Sequence, residues 1–199
     1  MSILFTISFS FTFIFDSVFC LEPKRFKMRL YCLSRIHYVG AMKFWHDLKS
    51  YDDGQVIQQE ARQRVEQSGK LEIHGFEFQK VITLGRRASL EQDLQVEAEF
   101  LLHHGFSFCL VDRGGEATLH NPGQLVIYPI VNLRTLGLTV REFVAALQNT
   151  TVDLLKAYGV SAGLIEGCPG VYTSKGKIGF VGVRIQRSVT THGLSLNVA

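Results

Sequence analysis

Residues 112–129 read DRGGEATLHNPGQLVIYP: two adjacent glycines follow Arg113, His120 closes a short run, and an Asn121-Pro122-Gly123 turn feeds straight into an apolar segment. Adjacent glycines are expensive to order, because glycine loses more conformational freedom on folding than any other residue. They are used where φ is positive or where backbone must come close to another group. This pair follows the strand-like run FSFCLVDR (106–113), so it lies just past a strand end, where loops over a sheet commonly carry binding groups. The pair predicts a cradle for a ligand; a tight connection between strands is the alternative.

The surrounding elements are legible from periodicity. Residues 47–68, DLKSYDDGQVIQQEARQRVEQS, predict a helix with Leu48, Val56, Ile57, Ala61 and Val65 as an imperfect apolar stripe. FEFQKVITLG (76–85) and FSFCLVDR are β-branched and aromatic runs ending at Gly85 and at the Arg113-Gly114-Gly115 corner, and QLVIYPIVNL (124–133) predicts a third strand. Thr139 followed three residues later by Glu142 is a capping-box pattern. Val140, Phe143, Val144, Leu147, Leu154, Leu155 and Tyr158 then line one face up to Gly159, which predicts a long helix. Beyond Gly170 the chain is rich in Val, Ile, Thr and Gly, and Ser174-Lys175-Gly176-Lys177 supplies a turn between antiparallel strands. No repeat or linker interrupts the chain after residue 45, so one α/β (α+β) domain with a mixed sheet is expected.

A second glycine cluster gives the cradle more weight. KGKIGFVGVRI (175–185) sets Lys177 ahead of Gly179 and Gly182, and THGLSLNV (191–198) adds His192, Gly193 and Asn197 on what should be the neighbouring strand. Glycine inside a strand marks close backbone approach or a ligand surface rather than good packing.

Composition removes several function classes. Net charge is +3 and the basic residues are scattered apart from Pro23–Lys27, so no footprint for nucleic acid stands out. Cys20, Cys32, Cys109 and Cys168 show neither CxxC spacing nor a histidine at metal-ligand distance, which argues against a zinc site and a disulfide framework. No metal is expected, and a reducing, cytoplasmic setting fits. The Phe-rich first twenty residues lack a preceding Lys or Arg, and Asp16 interrupts them before the roughly 20 residues that span a bilayer. An upstream start with Met28 or Met42 as the working one, a signal or anchor, and a structural element all stay open. The expected division is a leader over 1–41 and a domain over 42–199.

Five stretches together resemble the lipoyl(octanoyl) transferases: VITLGRRA (81–88), RGGEATLHNPGQLVIYP (113–129), PGVY (169–172), KIGFVGVRI (177–185) and THGLSLNV (191–198), in the family's order. The resemblance runs from about Leu48 to Ala199. It implies a biotin/lipoate protein ligase-like catalytic fold with a largely antiparallel sheet flanked by helices. The implied activity is transfer of octanoyl from octanoyl-acyl carrier protein to a lysine of lipoyl-domain proteins, without a cofactor, by a monomer with no stable membrane association. Arg113, Gly114, Gly115, Glu116, Ala117, Thr118, Leu119 and His120 would embrace the acyl chain. Phe180, Val181 and Gly182, and then Gly193, Leu194 and Ser195, would form other walls of the same pocket. Burying such a chain contributes about 0.8 kcal/mol per methylene, so a narrow apolar slot suffices to bind it.

Lys177 matches the family's catalytic lysine, whose ammonium favours the thiolate of a cysteine nucleophile and lowers a thiol pKa of about 8.5. The resemblance puts that cysteine in a Pro-Cys-Gly motif downstream of Leu196-Asn197-Val198, beyond Ala199. It therefore implies a catalytic domain lacking its C-terminal part, and no turnover by these 199 residues. Cys168 is the in-chain substitute, at a position that does not match. Asn121 stands where the family has glycine; Asn tolerates left-handed backbone, although the following proline favours extended conformations, so the change should be neutral. Two rivals stay in view. An ATP-dependent lipoate or biotin ligase would need a glycine-rich basic nucleotide loop, for which RGGEATLHNPGQ is a poor match; a non-catalytic acyl-binding module would keep the pocket and lack the nucleophile.

Overall fold

The computed structural model describes residues 39–45 and 47–198. Most of the expected leader lies outside them, as do Cys20 and Cys32. Strand β1 (Val39–Phe44) begins three residues ahead of the expected domain start at Met42, because its backbone pairs in parallel with β2 (Leu71–Phe76) from Val39 onward.

Helix α1 (Tyr51–Ser68) lies between these strands, with Ser50 accepting the Asp53 N–H at its start and Gly69 at φ 69° closing it. Its start is later than the sequence predicts and its buried stripe differs. Tyr51, Gly54, Gln58, Ala61 and Val65 face inward, spaced three and four residues apart, whereas Leu48 and Val56 are exposed. The run 76–85 divides. β2 ends at Phe76, Phe78 bridges to Lys49, and β3 (Val81–Leu84) enters a second sheet. Phe76 and Phe78 stack at 5.2 Å beneath α1, so the bend keeps both rings in one core.

Two short helices that periodicity did not indicate follow, α2 (Leu90–Asp93) and α3 (Ala98–His103); Leu101 of α3 packs on Ile82 and Leu84. Then come β4 (Ser107–Leu110), β5 (Ala117–His120), β6 (Gln124–Ile130), the short α4 (Leu133–Leu136) and α5 (Val140–Ala157). The Thr139–Glu142 capping box is formed as expected. β7 (Gly163–Ile165), β8 (Cys168–Thr173), β9 (Gly176–Gln186) and β10 (Val189–Asn197) complete the chain, and the expected turn falls between β8 and β9.

The large sheet runs β1-β2-β6-β10-β9-β8-β7 and the small one β4-β3-β5. Among the described strands, β1–β2 and β3–β4 pair in parallel and the other pairs are antiparallel. Helix α5 covers one face of the large sheet through Phe143, Leu147, Leu154 and Leu155; α1 covers part of the other face through Ala61 and Val65. Strand β6, buried along its whole length, is sandwiched between them. The small sheet stands beside α1, and the space left between the two sheets holds the site. Among the described residues, no helix is long and apolar enough to cross a membrane.

Candidate active site

The floor of that space is the β9–β10 hairpin, where Gly182 pairs with Gly193 and Phe180 with Ser195. Its roof is the loop after β4. The Gly114 N–H donates to the Val183 carbonyl at 3.1 Å, and a Cβ on Gly182 would meet Gly114 O at 3.1 Å and Arg113 Cδ at 3.2 Å. Glycine at 182 is what lets roof and floor approach. Arg113 ties the roof to the small sheet. Its Nη1 donates to the carbonyls of Gly114 and Glu116 at 3.1 and 2.9 Å, and its Nη2 to the carbonyl and Oγ1 of Thr83 at 2.8 and 2.7 Å. Burial pushes its pKa down. With those donors spent on neutral oxygens, the guanidinium acts as a clip, and the side chain offers the cavity a wall.

The cavity measures about 410 Å³, within the usual range for a small-molecule site. Every residue of the expected set lines it except Leu119. That one departure follows from strand alternation, which turns Thr118 and His120 inward and leaves Leu119 43% exposed on the outer face.

Lys177 stands at the mouth. Its Nζ lies 4.9 Å from the ring centre of Phe180 and 5.8 Å from that of Tyr172, and its stem runs along Gly170, where a Cβ would lie 2.4 Å from Cε. Burial lowers the pKa of this ammonium, opposed by the nearby Glu116. The exposed Cys168 lines the same mouth, whereas Cys109 does not reach the cavity.

The buried wall is polar and aromatic. His120 Nδ1 donates to Gln124 Oε1 at 2.6 Å, and Gln124 Nε2 donates to Asn197 Oδ1 at 2.9 Å. Burial pushes His120 down to about 4 and Tyr51 up to about 12. Both are neutral at physiological pH.

His192 closes the remaining end with an unusual backbone. Its φ is +58°, a left-handed conformation that a buried strand residue rarely adopts. The cause lies in β6. Pro129 has no N–H to donate, so the β6–β10 ladder breaks, and Thr190 Oγ1 spans the gap by accepting the Val131 N–H at 2.9 Å and donating to Pro129 O at 2.7 Å. The His192 N–H turns out of the sheet to Gln58 Oε1 at 2.8 Å. Its ring Nε2 meets Asp112 Oδ1 at 3.1 Å, and Asp112 also pairs with Arg184. Pairing to β6 resumes at Leu194–Ile127.

Residues 55–199 match the family model described as the lipoyl protein ligase A/B catalytic domain. The chain belongs to that family. An octanoyltransferase from Halorhodospira halophila is 44% identical over 118 residues, covering 59% of this chain and 51% of that protein. One from Ectopseudomonas mendocina is 37% identical over 164 residues, covering 82% and 73%. The chain spans 51%, 58% and 56% of the relatives from Halorhodospira halophila, Dechloromonas aromatica and Solibacter usitatus. Among solved structures, lipoate-protein ligase A bound with ATP superposes with a TM-score of 0.65 at 12% identity, covering 80% of this chain and 66% of that one. A bipartite lipoate protein ligase from Thermoplasma acidophilum gives 0.61 at 16%, covering 81% and 62%. Both share the fold, which bears out the ligase-like architecture expected from the resemblance.

In this lipoyl protein ligase A/B domain, sequence reasoning missed several cavity residues, among them Tyr51, Arg87, Val126, Tyr128 and Tyr172, and placed His192 in a glycine cluster without a role. One signal was present: a proline inside an otherwise central apolar run marks a ladder break.

Proposed function

We propose that this chain supplies the acyl pocket and the lysine of an octanoyltransferase, an enzyme that moves octanoyl from a carrier-protein thioester to the ε-amine of a lysine on a lipoyl-domain protein in the cytoplasm. The observation that carries this reading is the Lys177 ammonium, set over Phe180 and Tyr172 at the mouth of a glycine-floored cavity of about 410 Å³. Relatives between 35% and 46% identical that are named octanoyltransferases support it.

Gly114–Thr118, Phe180–Gly182 and Gly193–Ser195 would hold the acyl chain, whose apolar burial supplies most of the binding. Lys177 would stabilise the thiolate of a cysteine nucleophile, which the resemblance puts downstream of Leu196-Asn197-Val198. That thiolate attacks the thioester carbonyl, the acyl–sulfur bond to the carrier breaks, and the carrier sulfur leaves as a thiolate and takes a proton. The target lysine, as the free amine, then attacks the acyl-enzyme; the nitrogen gives up a proton to solvent, an amide forms and the enzyme thiolate is released. Both steps exchange one acyl bond for another, so neither needs ATP.

The test is ATP-independent transfer. Octanoyl-carrier protein and a lipoyl domain are incubated with the protein extended through a Pro-Cys-Gly segment, and octanoylation of the lipoyl domain is read by intact mass. Transfer without nucleotide is expected. A requirement for free acid and ATP would replace this reading with that of a ligase.

A further inference from the structure

We propose that His192 sets the length of the acyl chain that the cavity accepts; this rests on the acyl-transfer reading above. Lys177 marks the reactive end of the slot, because its Nζ lies over Phe180. His192 pairs in register with Val183, three residues further along β9. At roughly 3.4 Å of rise per residue, those positions stand about 10 Å apart. An extended chain advances about 3.4 Å for every three single bonds, so an eight-carbon acyl group spans about 8–9 Å and ends against the imidazole.

Three features make the imidazole a fixed stop. Its Nε2 is held by Asp112 at 3.1 Å, with Arg184 behind, and its ring meets Tyr128 edge-on at 5.8 Å. The left-handed backbone is held by Gln58, opposite Pro129. Above it, the Gly114–Val183 hydrogen bond shuts the roof, so a longer chain cannot pass over the ring. Rotating the side chain out of the slot would break the Asp112 bond.

The experiment is calorimetric binding of sodium octanoate, decanoate and dodecanoate, each below its micelle-forming range, to the full chain and to His192→Gly and His192→Asn. Glycine and asparagine both tolerate the left-handed backbone, so the second variant serves if the first fails to fold. In an open apolar slot, affinity rises about fourfold per added methylene. The full chain is expected to bind decanoate no better than octanoate, and the variants to bind decanoate at least about tenfold more tightly than the full chain does. A general loss of packing would weaken all three acids alike. The same order of affinities in all three proteins overturns the length role while leaving the acyl slot standing. Failure of the full chain to bind any of the acids overturns the slot and the length role together.

Discussion

The backbone N–H of His192 donates to Gln58 Oε1 at 2.8 Å, joining α1 to β10 across 134 positions of sequence. Gln58 is fully buried, and its Nε2 donates to Gln55 Oε1 at 2.6 Å. Leucine at position 58 would leave the His192 N–H buried without an acceptor. Gln58→Leu is therefore expected to lower stability by about 1–3 kcal/mol, read as a lower urea midpoint. An unchanged midpoint would mean that the left-handed backbone does not depend on this bond.

Lys177→Ala is expected to abolish formation of the octanoyl adduct at neutral pH in the extended protein, while the melting temperature stays close to that of the parent. The reason is that the ammonium lies at the cavity mouth and contributes little packing. Lys175→Ala, altering an exposed turn residue two positions earlier, should leave the adduct intact. Mass spectrometry of the acyl-enzyme decides; a normal adduct in Lys177→Ala removes this residue from the mechanism.

His120 gives the fold a pH dependence of definite sign. Burial holds its folded pKa near 4, against 6.5 for the exposed side chain, so the unfolded chain takes up the proton first as pH falls. The stability linked to neutral His120 is complete above about pH 6.5 and is lost as pH drops from there toward 4. His192 and His74, also lowered by burial, act in the same direction. At pH 5 the His120 contribution amounts to about 2 kcal/mol. Urea unfolding at pH 7 and pH 5 should therefore show a larger loss for the parent than for His120→Gln. Equal losses would mean that His120 titrates normally in the folded state.

The domain boundary can be tested at β1. Its register pairs Val39 with Leu71 and Ala41 with Glu72, so a start at Met42 cuts the strand. A chain beginning at Val39 is expected to melt at the same temperature as all 199 residues, and one beginning at Met42 at a lower temperature. Equal melting of the two short chains would put the boundary back at Met42.

Much of the site was legible because its residues stand in contiguous motifs. The Arg113–His120 loop and the two glycine-bearing strands needed only to be brought face to face. Leu119 was misplaced because a motif names neighbours along the chain, whereas strand alternation decides which of them face a cavity. The stripe on α1 was misread for a related reason: apolar character suggested Val56, yet the buried positions are Gly54 and Gln58, chosen by the close approach of Phe78 and by the His192 N–H.

The sequence by itself determined the elements whose signals are local. These are the capping box at Thr139, the glycine corner after β4, the turn before Lys177 and the class of the sheet. Each depends on hydrogen bonds or steric limits within a few residues. Only the tertiary structure decided that Arg113 spends its donors on Thr83 and loop carbonyls, that β3 leaves one sheet for another, and that Pro129 opposite His192 breaks a ladder and turns an imidazole into the cavity. Those outcomes depend on partners 30, 63 or 134 positions away, and no local pattern specifies which distant backbone group will be left without a hydrogen bond until the strands are side by side.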